Sequence, residues 1–148
     1  MSEINEQIWI GSYADSNNKQ FLNERRIKYI LCCGEEFIKP IDMDTWYRIP
    51  VVDNKADDKT LEQFMEGAAK LDEWTKEGHR VMVHCMAGVS RSVSVVITYL
   101  IMYKGWSLEL ALTHIGLRRP AANPHPLYMS ILKDLKPTFY KAAILRNC

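Results

Sequence analysis

The most regular hydrophobic pattern in the chain runs from residue 60 to residue 77, where apolar side chains recur three and four positions apart: Leu61, Phe64, Met65, Ala68, Leu71 and Trp74. This spacing aligns them on one face and predicts an amphipathic helix that Gly78 ends. Further helices are expected over residues 16–26, with Ser16 or Asn17 as the cap, and over 90–104, 107–118 and 126–135. The tail to Cys148 is expected to add a last turn.

Short apolar runs bounded by glycine or proline predict strands over residues 8–10, 28–33, 46–49 and 80–84. Strands that alternate with helices along a chain favour a parallel sheet covered by helices. The predicted fold class is therefore α/β, with a central, mainly parallel sheet flanked by helices on both faces. At 148 residues, without repeats or linkers, the chain is expected to form a single domain over residues 1–148.

One loop carries the candidate chemistry, because it joins the predicted strand 80–84 to the helix that follows. A loop that enters a helix directs unpaired N–H groups and the positive end of the helix dipole at one point. A small residue such as Gly88 lets the backbone curl around an anion, and the guanidinium of Arg91 can hold two phosphate oxygens. The residues predicted to bind a phosphate dianion are Met86, Ala87, Gly88, Val89, Ser90 and Arg91.

Cys85 lies at the focus of this positive field and is predicted to be largely a thiolate near neutral pH. The Ser92 hydroxyl is placed to hydrogen-bond the sulfur, whereas His84 is expected on the other face of the strand, where it orders the loop. A cysteine in an apolar strand is usually a small buried side chain. Here Cys85, Gly88, Arg91 and Ser92 coincide at one strand-to-helix junction, which favours a nucleophile.

This run resembles the His-Cys-x5-Arg-Ser signature of protein tyrosine phosphatases, and the chain is similar to the small dual-specificity phosphatases over nearly its whole length. Residues 8–12, 47–54 and 99–117 resemble the family's opening strand, its general-acid segment and the two helices after the signature. The resemblance implies the fold of that family. It also implies a protein phosphatase that acts on phosphotyrosine and phosphoserine or phosphothreonine through a phosphocysteine intermediate, with no cofactor and no metal ion.

The resemblance further implies a general acid outside the signature, and Asp53 matches that position. The chemistry asks for such a group independently, because the departing oxygen needs a proton. Asp53 could instead cap a turn with Asn54. Asp57 and Asp58 compete by spacing, but they precede the helix predicted from residue 60, so we interpret them as capping charges. Asp53 is therefore the favoured acid.

Two positions after the signature depart from the family pattern or stay open. His125 falls where relatives often carry an asparagine that supports the signature loop. Arg119 stands where some relatives hold a second substrate phosphate. It could equally be a solvated arginine at a helix end.

The residue types within the loop indicate the substrate class. Relatives that act on polyanionic lipid headgroups carry lysines inside it, whereas Met86, Ala87, Val89 and Ser90 are neutral, which favours phosphorylated proteins as partners. The same chemistry could serve a phosphoinositide or an RNA 5′-phosphate, and an inactive phosphopeptide-binding module is a further alternative. A sulfur-transfer domain also uses a cysteine loop but fits the Asp53 segment poorly.

The net charge and the cysteine content limit the expected partners and the expected cellular compartment. A net charge of +1 gives no general attraction to nucleic acid or to an anionic membrane, and neither is expected as a partner. No secretory signal opens the chain, and four cysteines do not resemble a disulfide framework. We expect a monomer in the cytosol, or in the nucleus as well. Cys32 or Cys33 could form a disulfide with Cys85 on oxidation, although a buried strand cysteine is the commoner case.

Overall fold

The computed structural model describes residues 1–43 and 45–137 and contains one five-stranded sheet in the order β1-β2-β5-β3-β4. The strands are β1 (Ser2–Glu3), β2 (Ile8–Gly11), β3 (Tyr29–Cys33), β4 (Thr45–Ile49) and β5 (Val81–His84). Neighbouring strands are parallel except β1, which pairs antiparallel with β2. The predicted mainly parallel sheet is confirmed. The two-residue edge strand β1 was not predicted, because so short a run carries no hydrophobic pattern.

In the described residues, six helices follow the chain order: α1 (Tyr13–Ser16), α2 (Lys19–Glu24), α3 (Thr60–Lys76), α4 (Arg91–Lys104), α5 (Leu108–Arg118) and α6 (Pro126–Leu132). They lie on both faces of the sheet, as expected. On β2, Ile8 and Ile10 join the main core with α3 and α4, while Trp9 between them packs with Leu22 of α2 on the other face. Side chains of a strand alternate between faces, so one strand serves both layers.

The single helix predicted over residues 16–26 is wrong, because two helices with separate caps occupy this stretch. Ser12 caps α1 and forms a capping box with Asp15, and the side chain of Asn18 accepts a hydrogen bond from N of Phe21 to start α2. The side chains of Ser and Asn favour caps over helix interiors, which explains the break. Helix α6 ends at Leu132, short of the predicted 135. The last turn predicted toward Cys148 lies outside the described residues.

The central strand β5 positions the candidate site. It lies between β2 and β3, and its carboxyl end continues directly into the loop and α4. Helix α4 is buried along most of its length, and two of its buried hydroxyls are satisfied by backbone one turn earlier: Ser94 donates to the carbonyl oxygen of Ser90 and Thr98 to that of Ser94, both over 2.8 Å. The loop is thus held between a buried strand and a buried helix. Within the described ranges, no helix is both long and apolar enough to cross a membrane.

Candidate active site

The loop after β5 turns its carbonyl oxygens outward. Six consecutive carbonyls accept hydrogen bonds of 2.7 to 3.1 Å: Cys85 from Nδ1 of His84, Met86 from N of Tyr13, Ala87 and Gly88 from the guanidinium of Arg119, Val89 from N of Asn123, and Ser90 from N of Ser94. In a trans peptide the N–H points opposite to the carbonyl. The N–H groups of the same peptides therefore face the inside of the loop. This arrangement is a backbone cradle for an anion.

The sulfur of Cys85 lies inside this cradle, where the side chain is only 3% exposed. Its Sγ is 3.2 Å from Oγ of Ser92. Burial by itself would raise the pKa of the Cys85 thiol. Hydrogen bonds from the side chain and N–H of Ser92 and from the N–H of Gly88, together with the charge of Arg91, outweigh burial and lower that pKa. The predicted nucleophile thus lies in surroundings that favour the thiolate.

His84 is buried behind the loop rather than within it. Its Nδ1 donates to the carbonyl oxygen of Cys85 over 3.1 Å, which assigns the Nδ1–H tautomer to the neutral ring. The ring stacks on Tyr13 and packs against Phe37. Burial lowers the pKa of His84 to about 4, although the hydrogen bond to Cys85 opposes this shift. His84 is therefore neutral at physiological pH and holds the start of the loop.

Two features of this loop require glycine at position 88. Its φ of +68° lies in the left-handed region, and an added Cβ would come within 2.6 Å of both Nη2 of Arg119 and the carbonyl oxygen of Gly11. The loop therefore closes on β2 and on Arg119 without space for a side chain. Arg119 donates from Nε to Gly88 and from Nη2 to Ala87, and its third nitrogen, Nη1, donates to Oγ of Ser2. Its guanidinium is thus engaged by the loop's outer side and not by the inside.

The segment after α5 supports the loop through its backbone. The N–H of Asn123 donates to the carbonyl oxygen of Val89, and the N–H of His125 donates to Oγ of Ser90 over 2.9 Å. Nδ1 of His125 accepts a hydrogen bond from N of Leu127 and so caps α6. The side chain at the position where relatives often carry asparagine therefore serves the helix, while its N–H serves the loop.

Arg91 begins α4 and is 2% exposed. Its Nε lies 3.5 Å from Oδ1 of Asp53, which is about half exposed, and its Nη1 lies 2.5 Å from Oε1 of Glu36. Burial would lower the pKa of Arg91, but the hydrogen bond and charge of Glu36 and the charges of Cys85 and Asp53 raise it. Cys85, Ser92, Arg91 and Asp53 are thus brought together as predicted.

The segment that carries Asp53 follows β4 and is anchored by a hydrogen bond from α6. The hydroxyl of Tyr128 on α6 donates to the carbonyl oxygen of Val52 over 2.6 Å, and Asn54 adopts a left-handed φ of +55°. By contrast, Oδ1 of Asp57 accepts a hydrogen bond from N of Lys59 just before α3. Asp57 thus stabilises the turn that leads into α3, although the N-cap of that helix is Lys59, which makes no side-chain cap hydrogen bond.

Glu36 is the site residue that sequence reasoning missed. It follows β3, and its contact with Arg91 joins residues far apart in the chain. The available signal was positional: in a parallel sheet the residues after neighbouring strands meet at the carboxyl edge, and β3 neighbours β5. A carboxylate just after β3 was therefore a candidate partner for the loop arginine.

A cavity of about 710 Å³ lies at the opposite edge of the sheet, near the starts of β3, β4 and β5. Its lining includes Arg26, Lys28, Tyr29, His79 and Arg80. None of the predicted site residues lines it, so it is separate from the cradle around Cys85.

Comparisons with known proteins agree with this geometry. The family model "Dual specificity phosphatase, catalytic domain" matches residues 8–137. The chain is similar to dual specificity protein phosphatase 1B of Arabidopsis thaliana, with 35% identity over 92% of this chain and 81% of that protein. Among solved structures, that of DUSP15 is 26% identical with a TM-score of 0.82, covering 99% of this chain and 92% of that one. The structure of PTPMT1 in complex with PI(5)P is 23% identical with a TM-score of 0.77, covering 99% and 97%, and shows likeness of fold.

Proposed function

The chain belongs to the dual specificity phosphatase family and is a cysteine-dependent protein phosphatase, and from that premise we propose that it hydrolyses phosphotyrosine and phosphoserine or phosphothreonine in proteins through a phosphocysteine intermediate. The observation that carries this proposal is the set of six outward carbonyls, which leaves the N–H groups of the loop facing Sγ of Cys85. A phosphate seated there meets its nucleophile and its donors at once. Prearranged donors of this kind are usually the largest source of rate enhancement.

In the first step, the thiolate of Cys85 attacks phosphorus while Arg91 and the loop N–H groups bind the nonbridging oxygens. The S–P bond forms as the bond from phosphorus to the ester oxygen breaks. Protonated Asp53 gives its proton to that oxygen, and the dephosphorylated side chain leaves as a neutral hydroxyl. The exposure of Asp53 at the mouth of the cradle suits contact with a protein substrate.

In the second step, ionised Asp53 accepts a proton from water as the water oxygen attacks phosphorus. The P–S bond breaks, inorganic phosphate leaves and the thiolate of Cys85 is restored. The Ser92 hydroxyl, 3.2 Å from Sγ, stabilises the sulfur as it departs. A thiolate that must be regenerated at every turnover suits a reducing compartment, which supports our assignment to the cytosol.

The side chains around the cradle favour protein substrates over polyanionic lipids. Met86 and Val52 are exposed apolar residues beside Cys85 and Asp53 respectively. The loop contains no lysine. A second arginine beside the loop, Arg119, donates its hydrogen bonds to carbonyl oxygens of the loop. Of these two arginines, only Arg91 is turned toward a bound headgroup. Phosphoinositide hydrolysis is the second candidate, since PTPMT1, a structural neighbour, binds PI(5)P.

The experiment compares wild type with Cys85→Ser on an aryl phosphate, in excess chelator under reducing conditions, across pH 5 to 8. Turnover that survives chelation and is absent in Cys85→Ser supports the cysteine mechanism. Phosphotyrosine, phosphoserine and phosphothreonine peptides and PI(5)P vesicles are then compared by kcat/KM. A higher kcat/KM on the PI(5)P vesicles than on the peptides would indicate a phosphoinositide substrate instead of a phosphoprotein. Absence of wild-type turnover together with phosphopeptide binding would favour a binding module instead.

Asp53 is tested by the dependence of rate on the leaving group. Asp53→Ala should slow alkyl phosphates far more than aryl phosphates with acidic phenols, by about 100-fold or more, because only poor leaving groups need the proton. Asp58→Ala, which removes an exposed carboxylate of the same stretch, serves as the matched control. Unchanged activity of Asp53→Ala on alkyl phosphates would refute the assignment.

A further inference from the structure

Glu36 contacts the side of Arg91 that faces away from Asp53. Nη1 of Arg91 donates to Oε1 of Glu36 over 2.5 Å and lies 3.5 Å from the carbonyl oxygen of Val51, whereas Nε lies nearest Asp53. A guanidinium holds two oxygens of one anion through a pair of parallel N–H bonds, and Nε with Nη2 forms such a pair. The contact with Glu36 therefore occupies the nitrogen that is not part of this pair.

The segment around Glu36 is built to hold it in place. Gly34 lies so close to its neighbours that an added Cβ would come within 2.6 Å of Oε1 of Glu36, Cε2 of Phe37 and Nη1 of Arg91. The ring of Phe37 is buried, with the guanidinium carbon of Arg91 5.2 Å from its centroid. Arg48 on β4 donates to the carbonyl oxygens of Glu35 and Phe37. The backbone on both sides of Glu36 is thus fixed to the sheet.

We propose that Glu36 is a positioning residue for phosphate binding, which orients Arg91 so that its Nε and Nη2 face the cradle. This inference rests on the proposed function, in which Arg91 binds the substrate phosphate. Arg91 has a long side chain with several rotatable bonds, and without Glu36 its Nη1 keeps only the 3.5 Å contact with Val51, so that its planar fork turns more freely about them. The weaker contact of Nε with Asp53, at 3.5 Å, leaves that edge open to the substrate, while the 2.5 Å contact with Glu36 persists.

The test compares Glu36→Ala with Glu35→Ala, because Glu35 is an exposed neighbour that forms none of the hydrogen bonds or ion pairs seen for Arg91 in the described part of the chain. For each variant, kcat/KM is measured on an aryl and an alkyl phosphate, with the inhibition constant of inorganic phosphate and the Tm. Glu36→Ala should lower kcat/KM and raise the phosphate inhibition constant by about 10- to 100-fold, as expected for loss of a charged hydrogen bond. Glu36→Gln, which keeps an oxygen on Nη1, should recover most of the loss.

The phosphate inhibition constant separates positioning from simple loss of folded protein. A smaller active fraction lowers kcat without changing that constant, whereas a misdirected Arg91 raises it. The loss should be equal for both leaving groups, since Arg91 acts on the nonbridging oxygens. An unchanged inhibition constant in Glu36→Ala would overturn the inference, as would a loss that Glu35→Ala matches. If the wild type itself neither turns over nor binds phosphate, the proposed function fails rather than the role of Glu36.

Discussion

Nε of Arg119 lies 2.7 Å from the carbonyl oxygen of Gly88, so a guanidinium at the end of α5 fixes the peptide at the centre of the catalytic loop. Nη2 of the same side chain donates to the carbonyl oxygen of Ala87 over 3.0 Å. Two adjacent peptides are therefore oriented by one rigid fork, with their N–H groups toward the inside of the cradle. A cation behind the loop also adds to its positive field.

Arg119→Ala should therefore lower kcat/KM by about 10- to 100-fold on a substrate with a single phosphate, because two carbonyl oxygens lose a charged donor and the peptides can rotate. Arg119→Lys should not restore the rate, since an ammonium group lacks the planar fork. Arg118→Ala, which changes the exposed neighbour, is the control. If Arg119 instead bound a second substrate phosphate, its loss would affect doubly phosphorylated peptides and leave singly phosphorylated ones unchanged.

The contacts of Arg119 could not be predicted from the sequence. The helix before it was predicted from the N-cap signal at Ser107, and the nucleophile loop from its residue types, because both signals are local. The partners of Arg119 and of Glu36 lie on other elements, and only the packing of those elements brings them together. The sequence therefore predicted the cradle and placed Asp53 beside it, left the role of Arg119 open and missed Glu36.

Short elements were predicted less well for a related reason. Helices α1 and α2 have four and six residues, which is too short for a hydrophobic period to separate them. Their boundaries depend on the caps Ser12 and Asn18, whereas the sequence prediction placed a single cap at Ser16 or Asn17. The long buried helix α4 and the amphipathic α3 carry several turns of pattern each, and both were predicted within one residue of their bounds.

The hydroxyl of Ser92 should set the acidity of Cys85. Its hydrogen bond is the first of the influences that oppose burial and lower the pKa of Cys85, so Ser92→Ala should move that pKa upward. The rate of alkylation by iodoacetamide, measured against pH, should then rise at higher pH than in the wild type. Ser94→Ala, whose hydroxyl bonds within α4, is the control. A profile that is the same in Ser92→Ala and wild type would contradict this role.

Release of the sulfur from the intermediate should depend on Ser92 as well. Without its hydroxyl the departing thiolate loses a donor, so hydrolysis of the phosphocysteine slows by about 10-fold or more. Ser92→Ala should then show a burst of phenol in the pre-steady state, with an amplitude near one per enzyme. Absence of a burst in a variant with reduced turnover would place its defect before the intermediate.

The buried His84 should couple folding to pH. Because burial lowers its pKa to about 4, the unfolded chain binds the proton first as the pH falls from about 6.5. The resulting stability is complete above pH 6.5 and is lost as the pH falls toward 4, by about 3 kcal/mol. Urea unfolding at several pH values should show this loss in the wild type and a smaller one in His84→Asn, which keeps an N–H donor but does not titrate. Equal pH dependence in both would contradict it.

Peroxide should link Cys85 to Cys33 rather than to Cys32. The register pairs Cys32 with His84 at the end of β5, so we expect the next residues along the two chains, Cys33 and Cys85, to face each other. Parallel neighbours are usually about 4.8 Å apart, which a disulfide can span. Hydrogen peroxide oxidises the Cys85 thiolate to a sulfenic acid and is reduced to water; the sulfur of Cys33 then attacks, loses its proton and releases a second water. Burial and the charge of Cys85 raise the pKa of Cys33, so this second step should be slow.

Peptide mapping should find the disulfide in the wild type and in Cys32→Ser but not in Cys33→Ser, and a thiol should restore the activity. A disulfide of Cys85 that still forms in Cys33→Ser would contradict the prediction. Oxidation of Cys85 to the sulfinic acid with no disulfide formed would contradict it as well.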